Sequence, residues 1–472
     1  MATIIEQQPL SNPGTADKVL PVGQEIIYTV SNSSVVSSFT NVKFIAEVHI
    51  SNSTPPNPNT TNDLVGTFKT TPNNAGVGMF DFRPIIESFV NADNLAREGS
   101  AYKGTTNTLN SNVPVHLIDK YSGNINTMRW FNVKFMVEYI DNDPTSATYG
   151  DLITNSEVIA GMCIIFNGYL KYTDELLLSG VNFGYDLYSN FLLDGSTKKF
   201  LTNAPTTQYA NLEDYGTVGL LMPYTAVGIE IIYFDSAGNY LSQEQINFTA
   251  ANGGFLYPQA NIQASLLYFG LFPANLQGSS TMFQGYVSAG TIQGGHYNLA
   301  VLNDTGQVSS STYTINLNCP TLKGYEPIRL TWLNQWGAWD YYTFNMKSTK
   351  TISTKGSTYQ QLQGTWNKSS YKIDSFKGGK KAFRVNATEK IKMNTDFVSE
   401  SESEWFEELI NSPEVYILEG YSDDSANSSL NKYVTPVRLT TSSYTKKTVA
   451  NDKLMQYTFE VEKSKTLRTQ SV

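Results

Sequence analysis

At 472 residues the chain is too long for a single ordinary core, and its length alone suggests about three domains. Aromatics are abundant, only 16% of residues are charged, and Ser, Thr and Asn recur throughout, a mix that suits twisted sheets joined by polar turns better than helix bundles. The net charge of −9 is unevenly divided: residues 1–320 carry 12 Lys/Arg against 25 Asp/Glu (−13), and residues 321–472 carry 21 against 17 (+4), which marks a boundary near Cys319 but supplies no concentrated basic face for nucleic acid.

The opening "MATIIEQQPLSNPG" has neither the basic nor the apolar region of a secretion signal, and no stretch approaches 18 apolar residues. A soluble protein made in a reducing cytoplasm, with no membrane span, is expected. The first strong pattern is an echo. "FTNVKFIAEVHI" (Phe39–Ile50) recurs as "WFNVKFMVEYID" (Trp130–Asp141), offset by 91 residues. Both copies alternate with period two. Val42, Phe44, Ala46, Val48 and Ile50 share one face, as do Val133, Phe135, Val137 and Tyr139, so two strands of one sandwich are expected. Lys43, Glu47, Lys134 and Glu138 then point to the opposite, solvated face.

Between the copies, "GVGMFDFRPIIESFVNAD" reads as a strand through Met79–Phe82. Pro84 then starts a short helix with Ile85, Ile86, Phe89 and Val90 on its apolar side. Residues 98–127, rich in Gly, Asn, Ser and Thr, read as a long surface loop. From Lys171 to Asn318 the pattern stays β, with hairpins at "GIEIIYFDSAGNYL" and "HYNLAVLNDTGQV" and alternation in "STYTINLN". The last region has strands at 328–333 and 339–346, a polar stretch, and a strand around 381–393. In "SESESEWFEELINSP", Ser399 or Ser401 caps a helix over about 400–411 through Glu402 or Glu404. Trp405, Phe406, Leu409 and Ile410 form its apolar stripe, Glu404, Glu407, Glu408 and Asn411 lie opposite, and Pro413 stops it. Three strands follow near 414–419, 434–440 and 454–463. The expected architecture is mainly β: tandem β-sandwiches over 1–170 and 171–320, then a small α+β, barrel-like domain over 321–472.

Chemistry-bearing patterns are scarce. His49, His116 and His296 stand in no metal-binding spacing, and Cys163 and Cys319 lack Cys or His partners suited to zinc. There is no nucleophile elbow, P-loop or dinucleotide fingerprint. Asp141, Asp143 and Asp151 in "DNDPTSATYGD" offer clustered oxygens for calcium, but polar turns use Asp equally well. "FKGGKKAFR" reads as a solvated turn or a polyanion contact. The sequence therefore names no catalytic, cofactor-binding or metal-binding residue, and an enzyme is not expected.

"GYEPIRLTWLNQWGAWDYYTFNMKSTKT", together with "SEWFEELINSPEVYIL" and "NDKLMQYTFEVEKSKTLRTQ", resembles structural proteins of tailed bacteriophages, closest to those of phages infecting Bacteroidetes-type hosts, including crAss-like relatives. "LPVGQEIIYTVSN", "VKFIAEVHI" and "GVGMFDFRPIIESFV" resemble the front half of the same kind of protein, so the likeness runs from about Leu20 to Gln470. It implies a virion protein of the tail or head–tail connector. The subunit would form a ring-shaped homo-oligomer and contact neighbouring virion proteins, with a last domain like those of tail-tube and hub proteins, no catalytic residues and no specific nucleic-acid binding. The alternative is a host-recognition tail module that binds a receptor or glycan. The two readings meet in "TWLNQWGAWDYYTF" (Thr331–Phe344), where three Trp and two Tyr occupy eleven positions. Aromatics on both faces of a strand mean that both faces are covered, so this segment is expected to be packed core and interface, not an exposed sugar platform.

Overall fold

The computed structural model describes residues 2–9, 18–97, 113–171, 174, 187–223, 225–247, 265–318, 324–366, 369–419, 433–441, 443, 445 and 455–468. The chain is mainly β, arranged in several sheets. It divides into two compact units: residues 1–318 with 333–340, and residues 319–332 with 341–472.

In the first unit the two echo strands, Thr40–Ser51 and Met128–Ile140, lie side by side and antiparallel in a six-stranded sheet. Their likeness explains the pairing. Antiparallel alignment of two Lys-x-x-x-Glu segments sets Lys43 opposite Glu138 and Glu47 opposite Lys134, so every charged rung joins opposite signs. Lys134 also bridges to Glu47 at 3.2 Å and to Glu157 at 3.4 Å, and Lys69 to Glu138 at 2.5 Å. On the other face Phe44, Ala46, Val48, Phe131, Val133 and Phe135 pack against Tyr28, Val30 and Phe80 of a three-stranded sheet (Ile4–Gln7, Ile27–Ser31, Val77–Asp81) and against Phe82, which follows it. The charged face is only partly solvated: His49, Trp130, Asn132 and Glu138 on it are buried. The segment after Asp81 turns helical at Arg83–Ile86, with Pro84 in its first turn, where the missing N–H has no helical partner to lose.

Residues 98–112 of the expected surface loop lie outside the described residues, and 113–127 are not a surface loop. Val113, Val115, His116, Leu117 and Ile118 are buried, and Tyr121–Gly123 is a strand. It joins Thr217–Leu221 and Leu266–Gly270 in one sheet, so sequence on both sides of position 170 shares a sheet within this unit. A five-stranded sheet holds Ala226–Phe234 and its hairpin partner Tyr240–Asn247, with His296–Asn303, Tyr313–Leu317 and Thr207–Ala210.

The all-β expectation for 171–318 needs correction: a single helical turn, Tyr188–Phe191, and two longer helices, Pro273–Ser279 and Thr281–Ala289, interrupt it. The signals of the longer two are local. Pro273 starts the first, Ser280 caps the second by accepting from the Phe283 N–H at 2.9 Å, and left-handed Gly290 (φ 70°) ends it.

The second unit is built on one eight-stranded sheet. Ile328–Leu333 pairs antiparallel with Val415–Leu418, which pairs with Val434–Leu439, then Thr458–Lys463, then Gly379–Asn394, then Thr349–Gln361. Helix Glu400–Asn411 covers one side. Ser399 caps it in a capping box with Glu402, and Trp405, Phe406 and Leu409 are buried against Trp332, Tyr342, Phe344 and Phe459. Ile410 is half-buried, and Glu408, expected on the solvent side, is buried.

Candidate functional site

The aromatic run 331–344 is buried almost throughout, and each face has its own cover. Trp332 meets Trp405 at 4.9 Å on the helix side of the second unit. In the same unit Arg329 stands over Tyr341 at 5.2 Å and donates to the Thr343 hydroxyl at 2.8 Å. The turn between the strands belongs to the first unit. Asn334 organises it, its Oδ1 accepting the N–H groups of Trp336 and Ala338 at 3.0 Å each. Gly337 adopts φ 72°, and a Cβ there would meet the Asn167 carbonyl oxygen at 2.3 Å, so this turn requires glycine.

Around the turn lies a buried polar network. The Trp339 indole donates to the Asp93 carbonyl at 2.8 Å, and the Trp336 indole to Asn203 at 3.0 Å. Asp340 accepts from Thr202 at 2.7 Å and from Asn334 at 3.1 Å. The Asp93 carboxylate accepts from the Asn126 and Ile125 N–H groups, the Thr127 hydroxyl and the Tyr268 hydroxyl, at 2.7 to 3.1 Å. Burial raises its pKa, and these hydrogen bonds work in the opposite direction. With every acceptor lobe engaged, this carboxylate is built as a fastener. The aromatic run is core, not platform.

The three histidines are dispersed. His49 is buried on a strand, His116 is buried edge-on to Trp339 at 4.7 Å, and His296 is stacked on Phe234 at 4.6 Å. Cys163 is buried in a strand. Asp141 and Asp143 use their carboxylates inside their own turn: hydrogen bonds from Ser146 first, then the Asp143 N–H and the Thr148 hydroxyl at 2.7 Å, hold the Asp141 pKa low, and those from the Thr145 hydroxyl at 2.7 Å and N–H hold that of Asp143 low. Among the described residues no group of three or more His, Cys, Asp or Glu is placed to hold a metal ion.

The feature that stands apart is an arm. Thr349–Gln361 and Gly379–Asn394 pair over thirteen rungs and continue into a small second hairpin, Gly364–Thr365 with Lys372–Ile373. Among the described residues, Thr458–Lys463 and Leu467–Arg468 flank only the inner part of the ribbon, at residues 386–394, and no described strand pairs with either edge beyond that. Residues 351–358 are exposed on both faces. Toward the tip stand Trp366 (80% exposed), Leu362, Phe376 and Ile373, with Tyr371, Phe383 and, further in, Ile352 also exposed. These seven are drawn from nineteen exposed large apolar residues among the described residues, a concentration that scattered surface hydrophobics do not produce.

Charge concentrates there too, contrary to the expectation of no basic face. Residues 349–394 carry ten Lys/Arg and two Asp/Glu, or +8, leaving −17 for the rest of a chain whose total is −9. The sequence offered "FKGGKKAFR" as a solvated turn or a polyanion contact but took 349–361 for a polar stretch; antiparallel pairing brings the two together. The chain matches no protein-family model and no curated protein.

Proposed function

We propose that this chain is a non-enzymatic structural subunit that assembles with copies of itself into a ring in the tail or head–tail connector of a tailed-phage virion, as its sequence resemblance implies. Under this reading it is made in the host cytoplasm, its first unit holds tandem β-sandwiches, and its second is a tail-tube- or hub-like domain. The observation that carries the proposal is the arm. A long two-stranded ribbon with open edges and exposed aromatics is a template for strand addition and for insertion of apolar side chains into a neighbour, and isolated proteins ordinarily blunt such edges. The deep burial of Trp332, Trp336 and Trp339 removes the most aromatic segment from contention as a glycan platform.

Mass photometry of the purified chain across a concentration series tests this. Closed oligomers are expected for the parent, and the double variant Trp366→Ser/Phe376→Ser should shift the distribution to monomer with an unchanged melting temperature. A parent that stays monomeric at tens of micromolar, or a double variant that assembles as the parent does, overturns the proposal.

A further inference from the structure

We infer that the shaft of the arm binds nucleic acid through its phosphodiester backbone, without reading base sequence. The arm has two electrostatic regimes. At its base the cations are matched: Lys350 with Glu326 at 2.8 Å, Lys390 with Glu460 at 3.1 Å, and Glu389 with Lys463 at 3.1 Å. From the rung Ser353/Thr388 outward to Gln361/Gly379 no carboxylate occurs on either strand. Lys355, Lys380, Lys381 and Arg384 stand there, with Lys372 beyond, and none has an ion pair among the described residues. The one outer carboxylate described, Asp374, is taken by Thr365 at 2.6 Å and faces Lys377 at 4.0 Å.

Register then selects a face. On the first strand Lys355, Ser357 and Tyr359 alternate and share one side of the ribbon; opposite them stand Asn386, Arg384 and, past a bulge that inserts Phe383, Lys381, so the extra residue keeps Lys381 in register with the Tyr359 rung. Successive same-face rungs are about 6.8 Å apart at a rise of about 3.4 Å per residue, so three cations form a track about 14 Å long. Beside them sit the Ser357 hydroxyl and the Asn386 amide, and one same-face rung inward the hydroxyls of Ser353 and Thr388, which suit phosphate oxygens. Tyr359 and the half-exposed Phe383 stand edge to face at 6.4 Å, giving bases a surface to stack on.

A second copy of the chain, with −17 outside its arm, is the competing occupant by charge. Carboxylates on a protein surface would use the cations but not the aromatic pair, and a nucleic-acid strand uses both. The inference does not rest on ring assembly, which is assigned to the apolar tip.

The test is fluorescence anisotropy of a labelled mixed-sequence 30-nucleotide single-stranded DNA titrated with the full-length protein at several salt concentrations. Binding is expected, with a log–log salt slope near −2, from about three phosphates neutralised at about −0.7 each. The triple variant Lys355→Glu/Lys381→Glu/Arg384→Glu should weaken it at least tenfold. Lys199→Glu/Lys347→Glu/Lys465→Glu, with the same charge change placed outside the shaft, should bind within twofold of the parent, and scrambling the DNA sequence should change little. No binding by the parent at 50 mM salt, or equal loss in both triple variants, overturns the inference. So does a shaft variant that binds DNA normally but no longer self-associates, which would give the cations to a second copy. The Trp366→Ser/Phe376→Ser protein, monomeric but DNA-binding, keeps failure of one proposal distinct from failure of the other.

Discussion

At the scale of single residues, His49 shows how burial sets chemistry. Its ring is almost wholly enclosed, and neither ring nitrogen has a hydrogen-bond partner among the described residues. Opposite it, Asn132 also leaves its side-chain oxygen unmatched. Burial lowers the His49 pKa; nearby Glu47 and Asp63 pull it upward and Lys134 downward, without reversing the shift. The folded pKa therefore lies below the unfolded value of about 6.5. In such a case the unfolded chain binds the proton first, so the stabilisation is complete above about pH 6.5 and is lost as pH falls from there toward the folded pKa. Thermal melts at pH 7.5, 6.5 and 5.5 should show the parent losing stability across this window, with a smaller loss in His49→Leu. Parallel curves for the two proteins would assign the pH dependence to other groups.

At the scale of elements, the helix Glu400–Asn411 is held by a narrow aromatic contact. Trp405 is 3% exposed and packs between Trp332 and Phe406. Truncation to Ala should cost about 3–5 kcal/mol, large beside the roughly 5–15 kcal/mol that holds a domain together. Denaturant titration of Trp405→Ala should show that loss, and Glu404→Ala, on the exposed side, should fall within about 0.5 kcal/mol of the parent. Glu408→Ala, by contrast, removes a buried carboxylate from its surroundings and should destabilise more than Glu404→Ala. A Trp405→Ala protein with the parent's midpoint would mean the helix is not fastened to the sheet.

At the scale of the whole molecule, the division into two units is not a clean cut in sequence, because the turn 333–340 belongs to the first unit and its flanking strand residues to the second. A fragment of residues 321–472 would carry Trp336 and Trp339 away from Asn203, Asp93 and His116, which enclose them in the intact chain. Such a fragment should aggregate, and Trp336→Ser/Trp339→Thr should restore a monomer that melts cooperatively. Size-exclusion chromatography and a thermal melt decide the matter: an unmodified fragment that is monomeric and cooperative would mean the turn does not depend on the first unit. The same scale holds the charge asymmetry, +8 on the arm against −17 elsewhere, on which the nucleic-acid inference draws.

The sequence by itself determined the elements whose faces are buried. The echo strands, the hairpin through Asp235–Asn239, the alternating Tyr313–Leu317 strand and the capped helix were legible, because burial of one face writes a period into the residues and a cap writes its own signature. It also fixed the fate of the aromatic run, since Trp and Tyr on both faces require two covers. Tertiary structure alone decided the rest. Strand Thr349–Gln361 left no period because neither of its faces is buried, so its existence rests on pairing with Gly379–Asn394. Glu408 went inside although helical spacing placed it outside, and residues 113–127 became core because a strand 217–221 and a strand 266–270, far away in sequence, supplied a sheet for them. The candidate site belongs partly to this second class: Lys381 and Arg384 are local to "FKGGKKAFR", but Lys355 joins them on one face only when two strands align, and alignment is a long-range event that no local pattern records.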